Sequence, residues 1–103
     1  MNVQIIGDGI EIDDRIREVV ETKMASEIEK YLKDFADDLK KATVRIEKLS
    51  HGGFHVNWDM RLPGKNGHIF SQEDGDDLLN VLIALRKEVE SQVRDYKERL
   101  QKY

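Results

Sequence analysis

The groups that could do chemistry in this 103-residue chain are 17 lysines and arginines, 21 acidic residues and three histidines. No cysteine accompanies them, which excludes disulfide scaffolds, thiolate metal sites, iron–sulfur clusters and cysteine nucleophiles. His51 and His55 stand four apart, a spacing that pairs metal ligands on a helix but not across a turn and a strand. His68 falls at the far end of the next hairpin, so no third ligand converges and the histidines read as surface side chains. Glu73-Asp74-Gly75-Asp76-Asp77 lacks the alternating ligands and distal glutamate of a calcium loop, and helix capping explains it. Gly7-x-Gly9 has neither the third glycine nor the Gly-Lys-Ser/Thr of a phosphate loop. Ser26, Ser50, Ser71 and Ser91 are scattered, with no nucleophile elbow. Phe54 and Trp58 alternate with polar residues and read as core, not as a base-stacking platform. The pattern calls for no enzyme, metal, cofactor or small-molecule substrate.

The remaining chemistry lies in the sorting of charge. On a helix turning about 100° per residue, Arg86, Lys87, Arg94 and Lys97 share one arc beside an apolar stripe. Glu88, Asp95 and Glu98 lie beyond that arc, and Glu90 intrudes on it. Arg15, Lys23, Lys30 and Lys33 share one side of an earlier helix, with Glu18, Glu21 and Glu29 on another. Residues 86–103 carry six basic and four acidic groups within a chain of net charge −4, so nucleic-acid binding would need the cations gathered on one face. Two readings stand side by side. Either these are solvated faces laced with i,i+4 ion pairs such as Glu90 with Arg94, or they form a phosphate-binding surface.

The elements that must position these groups follow from periodicity. Asn2–Ile6 alternates as a strand, with Val3 and Ile5 on one face, and Gly7-Asp8-Gly9 suits a turn. Asp13 and Asp14 open a helix whose stripe is Ile16, Val20, Met24, Ile28, Tyr31 and Phe35, broadened by Val19 and Leu32. Its end is left open between a last turn and a loop at residues 37–41. Thr43–Leu49 reads as a strand and Ser50–Gly53 as a turn. Phe54, Val56, Trp58, Met60 and Leu62 alternate strictly with polar residues, Pro63–Gly67 turns, and His68–Gln72 returns to complete a hairpin. Ile69 and Phe70 are adjacent and must point oppositely, which sets one apolar side chain on the outer face. Glu73–Asp77 is expected to launch the last helix, whose stripe runs Leu78, Leu82, Leu85, Val89, Val93, Tyr96 and Leu100 with no glycine or proline from Asp76 to Tyr103. The order β-α-β-β-β-α predicts one α+β domain over residues 1–103: a two-layer sandwich with two helices covering one face of a four-stranded sheet. No apolar run is long enough for a bilayer, and the opening lacks the basic region and apolar run of a secretory signal. The expectation is a cytoplasmic protein.

Two stretches resemble a known family. Ile10-Glu11-Ile12-Asp13 through Ile16-Arg17, Val20, Lys23 and Tyr31 is similar to the opening of the ribosome hibernation-promoting factors, also called ribosome-associated inhibitors or sigma-54 modulation proteins. Glu73-Asp74-Gly75-Asp76-Asp77-Leu78 with the Leu82, Leu85, Val89, Val93 stripe resembles their final helix. The element order matches over nearly the whole chain. This resemblance implies a fold similar to double-stranded RNA-binding domains and a non-enzymatic factor that lodges in the decoding channel of the small ribosomal subunit. There it would block translation or stabilise idle ribosomes. It implies rRNA contacts from basic residues on both helices: Arg17, Lys23 and Lys97 at family-like positions, joined by Arg15, Lys30, Arg86, Lys87 and Arg94. Glu88, Ser91 and Asp95 depart from the family, standing where many members carry lysine or arginine. The expected partners are the small subunit and its rRNA, with no membrane, and the expected state is a monomeric short form. The alternative is a protein-interaction module or homodimer of the same fold that has lost rRNA binding.

Overall fold

The alternation of Val3 and Ile5 with Asn2 and Gln4 produces the first strand, and the computed structural model, which describes residues 1–101, carries it on to Asp8. β1 (Asn2–Asp8) lies parallel to β2 (Lys41–Lys48), and β2 pairs antiparallel with β3 (Phe54–Arg61). β4 (His68–Gly75) closes the sheet antiparallel to β3, giving the order β1-β2-β3-β4. A parallel neighbour needs a crossover, and the first helix supplies it. Gly7 is a strand residue, not a turn, because it and Asp8 continue the register with Ile46 and Glu47 of β2. Glycine is needed there, since a Cβ would lie 2.3 Å from the Ile10 carbonyl oxygen as the chain folds back over it.

Asp13 caps the first helix, its carboxylate accepting from the Ile16 amide at 2.9 Å. The helix is α over Asp14–Val20, π over Glu21–Ala25 and α again over Ser26–Glu29. The stripe explains the π segment. Ile16, Val20, Met24, Ile28 and Leu32 repeat every fourth residue, and each such step overshoots a 3.6-residue turn by about 40°. A wider turn removes the accumulated drift and keeps Val20, Met24, Ile28 and Leu32 buried on one line. Thr22 and Ser26 hydroxyls, donating to the Glu18 and Thr22 carbonyls at 2.9 and 3.1 Å, brace the same stretch.

Regular helix ends at Glu29, short of the stripe's reach to Phe35. Tyr31, Leu32 and Phe35 instead bond three residues back, and a short 3₁₀ turn, Asp37–Leu39, leads into β2. The brace for this turn is Lys40, a charged residue only 3% exposed. Its ammonium lies 3.0 Å from Glu29 and 3.4 Å from Asp37, and both carboxylates also meet the Met1 amine. A cation buried this deeply is tolerated because two carboxylates satisfy it.

The hairpin turns depend on glycine where the chain crowds itself. Gly53 sits at φ +87°, and a Cβ at Gly67 would fall 1.9 Å from the Leu62 carbonyl oxygen. One expectation is corrected at β4. Glu73, Asp74 and Gly75 extend the strand instead of launching the last helix, pairing with Val56, His55 and Phe54. Their acidic character suits a helix start, but eight consecutive register pairs with β3 outweigh it. The last helix begins at Leu78 and runs to Gln101. Lys102 and Tyr103, to which its sequence pattern extended, lie outside the described residues.

Both helices cover one sheet face. Val20, Met24, Ile28 and Leu32 meet Val44, Ile46, Val56, Trp58 and Met60 of the strands and Leu82, Leu85, Val89 and Val93 of the last helix in a single core. Phe70 points outward and is 41% exposed, opposite to buried Ile69. Among the described residues no helix is long and apolar enough to cross a membrane.

Candidate nucleic-acid interface

The two helices lie side by side and run in the same direction, a geometry the sequence could not specify. Cross-contacts rise together along both segments: the Arg86 guanidinium points to the Lys23 carbonyl at 3.5 Å, Phe35 meets Tyr96 with ring centroids 6.2 Å apart, and Lys97 faces Asp34 at 3.8 Å. Between these points Tyr31 faces Glu90, whose carboxylate holds the phenol above its usual pKa first as a hydrogen-bond acceptor and then by its charge, while Arg94 opposes the shift. Lys23, Lys30, Arg86, Arg94 and Lys97 are thus gathered along one seam. Three carboxylates, Glu27, Asp34 and Glu90, share it.

Those carboxylates pair with some cations and leave others open. Glu27 takes Lys30 at 3.0 Å and is held below the usual carboxylate range by that hydrogen bond and charge, with smaller help from Arg86 and Lys23. Glu90 takes Arg86 at 3.1 Å, not Arg94 as its spacing suggested. Turned toward Tyr31 at the seam, Glu90 meets the cation one turn before it, and the cation one turn after goes without. Arg94, Lys23, Arg15, Arg17 and Lys87 are exposed and make no ion pair among the described residues. Among the described residues no ion pair or side-chain hydrogen bond ties Arg15, Arg17 or Lys87 to the seam. The pair of Lys97 with Asp34 is loose, since Asp34 is 86% exposed.

The three residues that depart from the family pattern have distinct surroundings. Ser91 and Asp95 are exposed. Glu88 is turned toward the sheet, where its carboxylate accepts the Ser71 hydroxyl of β4 and lies against Glu73. The proximity of the two carboxylates holds Glu73 above its usual pKa. Glu88 therefore ties the last helix to β4 and does not oppose the cationic seam directly.

Two of the three histidines, His55 and His68, lie on the outer sheet face, away from the helices. His55 pairs with Asp74 across the β3–β4 ladder, and His68 approaches Asp59 at 3.0 Å. His55 and His68 stand at opposite ends of that ladder, and no cluster of three His, Asp or Glu ligands occurs among the described residues. Sequence reasoning missed the role of Lys40, because no local pattern marks a lysine that folding will bury. The outward ring on the sheet face was signalled by the adjacency of Ile69 and Phe70, and Phe70 is the one displayed.

Comparison with known proteins agrees with this architecture. The chain is 30% identical over 97 residues to the "Ribosome hibernation promotion factor" of Staphylococcus aureus (strain COL), a match covering 94% of this chain and 48% of that protein. The chain thus spans about half the length of that curated relative. The crystal structure of the Thermus thermophilus Protein Y N-terminal domain superposes with a TM-score of 0.78 at 28% identity, covering 93% of this chain and 99% of that one. A ribosomal subunit interface protein from Coxiella burnetii shares the fold, with a TM-score of 0.69 at 24% identity, over 95% of this chain and 99% of that one. The two solved structures share the overall fold of this chain. With residues 3–101 matching the family model described as Sigma 54 modulation protein / S30EA ribosomal protein, the chain belongs to that family.

Proposed function

We propose that this chain is a non-enzymatic, cytoplasmic, ribosome-associated factor that acts as a monomer on the small subunit. It grips rRNA through the helix seam, occupies the decoding channel, and so inhibits translation or stabilises idle ribosomes. The observation that carries this reading is the convergence of Lys23, Lys30, Arg86, Arg94 and Lys97 along one helix seam of a molecule that is acidic overall. Family membership and similarity to a hibernation promotion factor support it.

Phosphate binding by such a seam releases counterions, so affinity falls steeply with salt. Docking position would be set by the shape of folded rRNA and not by base sequence. The test is pelleting of the purified protein with small subunits through a sucrose cushion at two salt concentrations. Co-sedimentation that is lost in R94E/K97E supports the reading, and unaltered co-sedimentation of that variant overturns it. The three interleaved carboxylates favour one alternative, a protein-interaction module or homodimer that keeps the fold without rRNA affinity. Its signature is association indifferent to salt.

A further inference from the structure

We infer that the outer face of the sheet is a separate binding site for a short single-stranded RNA segment, with one base stacked on Phe70 and a backbone phosphate held by Lys41 and Arg61. Outward residues line up across the strands by register. At one end of the face the row is Asn2, Lys41, Arg61 and His68, and the next row is Gln4, Thr43, Asp59 and Phe70. A groove of about 770 Å³ opens over the β1–β3 part of these rows, lined by Asn2, Gln4, Lys41, Thr43, Asp59 and Arg61 together with Asp38 and Leu39, and Phe70 stands beside it on β4, outside its lining.

Three features make this an RNA surface and not an ordinary wet sheet face. Lys41 and Arg61 are adjacent register partners, both exposed, and neither makes an ion pair among the described residues. Two carboxylates also line the groove, Asp38 and Asp59, and Asp59 is turned to His68 at 3.0 Å. Second, Phe70 is the large apolar ring of β4 and stands 41% exposed, with the His68 ring 6.4 Å away. A large apolar ring displayed beside unpaired cations is the combination that stacks bases and neutralises phosphates. From strand spacings, Phe70 and Arg61 are about 8 Å apart at the backbone, within the span of one nucleotide.

Third, the platform is held rigid. Gln92 of the last helix donates to the Phe70 carbonyl at 2.8 Å and accepts from the Phe70 amide at 3.2 Å. This side chain takes the place of a neighbouring strand at that residue, so the edge is closed where the ring is displayed. The opposite end of the face repels RNA, since Asp8, Glu47 and Asp74 line up there around His55.

The test is fluorescence anisotropy of the full chain with a labelled eight-residue oligouridine, with uridine monophosphate and a blunt RNA duplex as comparison ligands. The oligomer is expected to bind, F70T and K41Q/R61Q each to weaken it about tenfold, and F70W to retain it. R94Q/K97Q is expected to leave oligomer affinity within about twofold while weakening ribosome pelleting, which separates this site from the helix seam. Duplex binding is expected not to respond to F70T. Because Phe70 lies on the outer sheet face and outside the core, F70T should keep the parent's circular dichroism spectrum. An oligomer that does not bind, F70T binding like the parent, or loss confined to R94Q/K97Q would each overturn the inference.

Discussion

Neutralising Arg94 and Lys97 tests the seam most directly, because the structure separates their effect on binding from their effect on stability. Arg94 is exposed and unpaired among the described residues, and Lys97 meets only Asp34 at 3.8 Å. Exposed pairs of this kind are worth about 0–1 kcal/mol. R94Q/K97Q should therefore unfold within about 4 °C of the parent. Binding should respond far more. Each phosphate contact adds roughly 0.7–0.9 to the slope of log affinity against log salt, so two lost contacts make the slope shallower by about 1.4–1.8. Between about 50 and 200 mM salt the parent should lose close to tenfold more affinity than the variant. Titration of small subunits with labelled protein at four salt concentrations reads both slopes. Parallel slopes would mean that neither side chain meets a phosphate, and the seam would then have to be abandoned as the docking surface.

Other parts of the molecule make independent predictions. K40M removes the buried cation that joins Glu29 to Asp37, and thermal unfolding should fall by about 5–10 °C; no change would show that the pairing is idle. The pKa shifts give two opposite pH dependences. Glu29 and Asp37 are held below their ordinary values of 4.5 and 3.8, chiefly by hydrogen bonds to Lys40 and the Met1 amine respectively, so their contribution is present above those values and is lost as pH falls through the depressed folded pKa values. Glu73 is held above 4.5 by Glu88, so its folded form keeps a proton that the unfolded chain releases, and stability declines as pH rises through the raised pKa. E73Q should accordingly raise the melting temperature at pH 7 by about 2–4 °C and lose that advantage near pH 4, a crossover that circular dichroism melts at both pH values would reveal. G75A places a methyl group 2.7 Å from a Val81 methyl. Urea denaturation should show a cost of about 1–3 kcal/mol, and a neutral result would mean that β4 and the last helix can part freely.

Glu88 illustrates how a departure from a family pattern can be misread. As a carboxylate at a usually basic position it suggests weakened anion binding. In the fold it accepts the Ser71 hydroxyl and lies against Glu73, so its charge is directed at the sheet edge. Its cost is local, in the repulsion that raises Glu73, and the seam beside Tyr31 keeps its excess of cations.

Period and turn chemistry determined much of this protein before folding is considered. The strict alternation from Phe54 to Leu62 defines β3 and its buried face, Asp13 marks the first helix, and the opposed Ile69 and Phe70 require one outward ring. These are short-range consequences of backbone geometry, readable wherever a side chain's direction follows from its position in an element. Boundaries set by competition were not readable. Glu73–Gly75 joined β4 because register pairing with β3 outweighed a helix-start composition, and the first helix stopped at Glu29 although its stripe ran on to Phe35. Nor could sequence bring Arg94 to Tyr31, bury Lys40, or seat Gln92 on Phe70. Each of those contacts joins different elements, from Lys40 and Glu29, 11 residues apart, to Gln92 and Phe70, 22 apart, and periodicity carries a direction within one element but no distance between two.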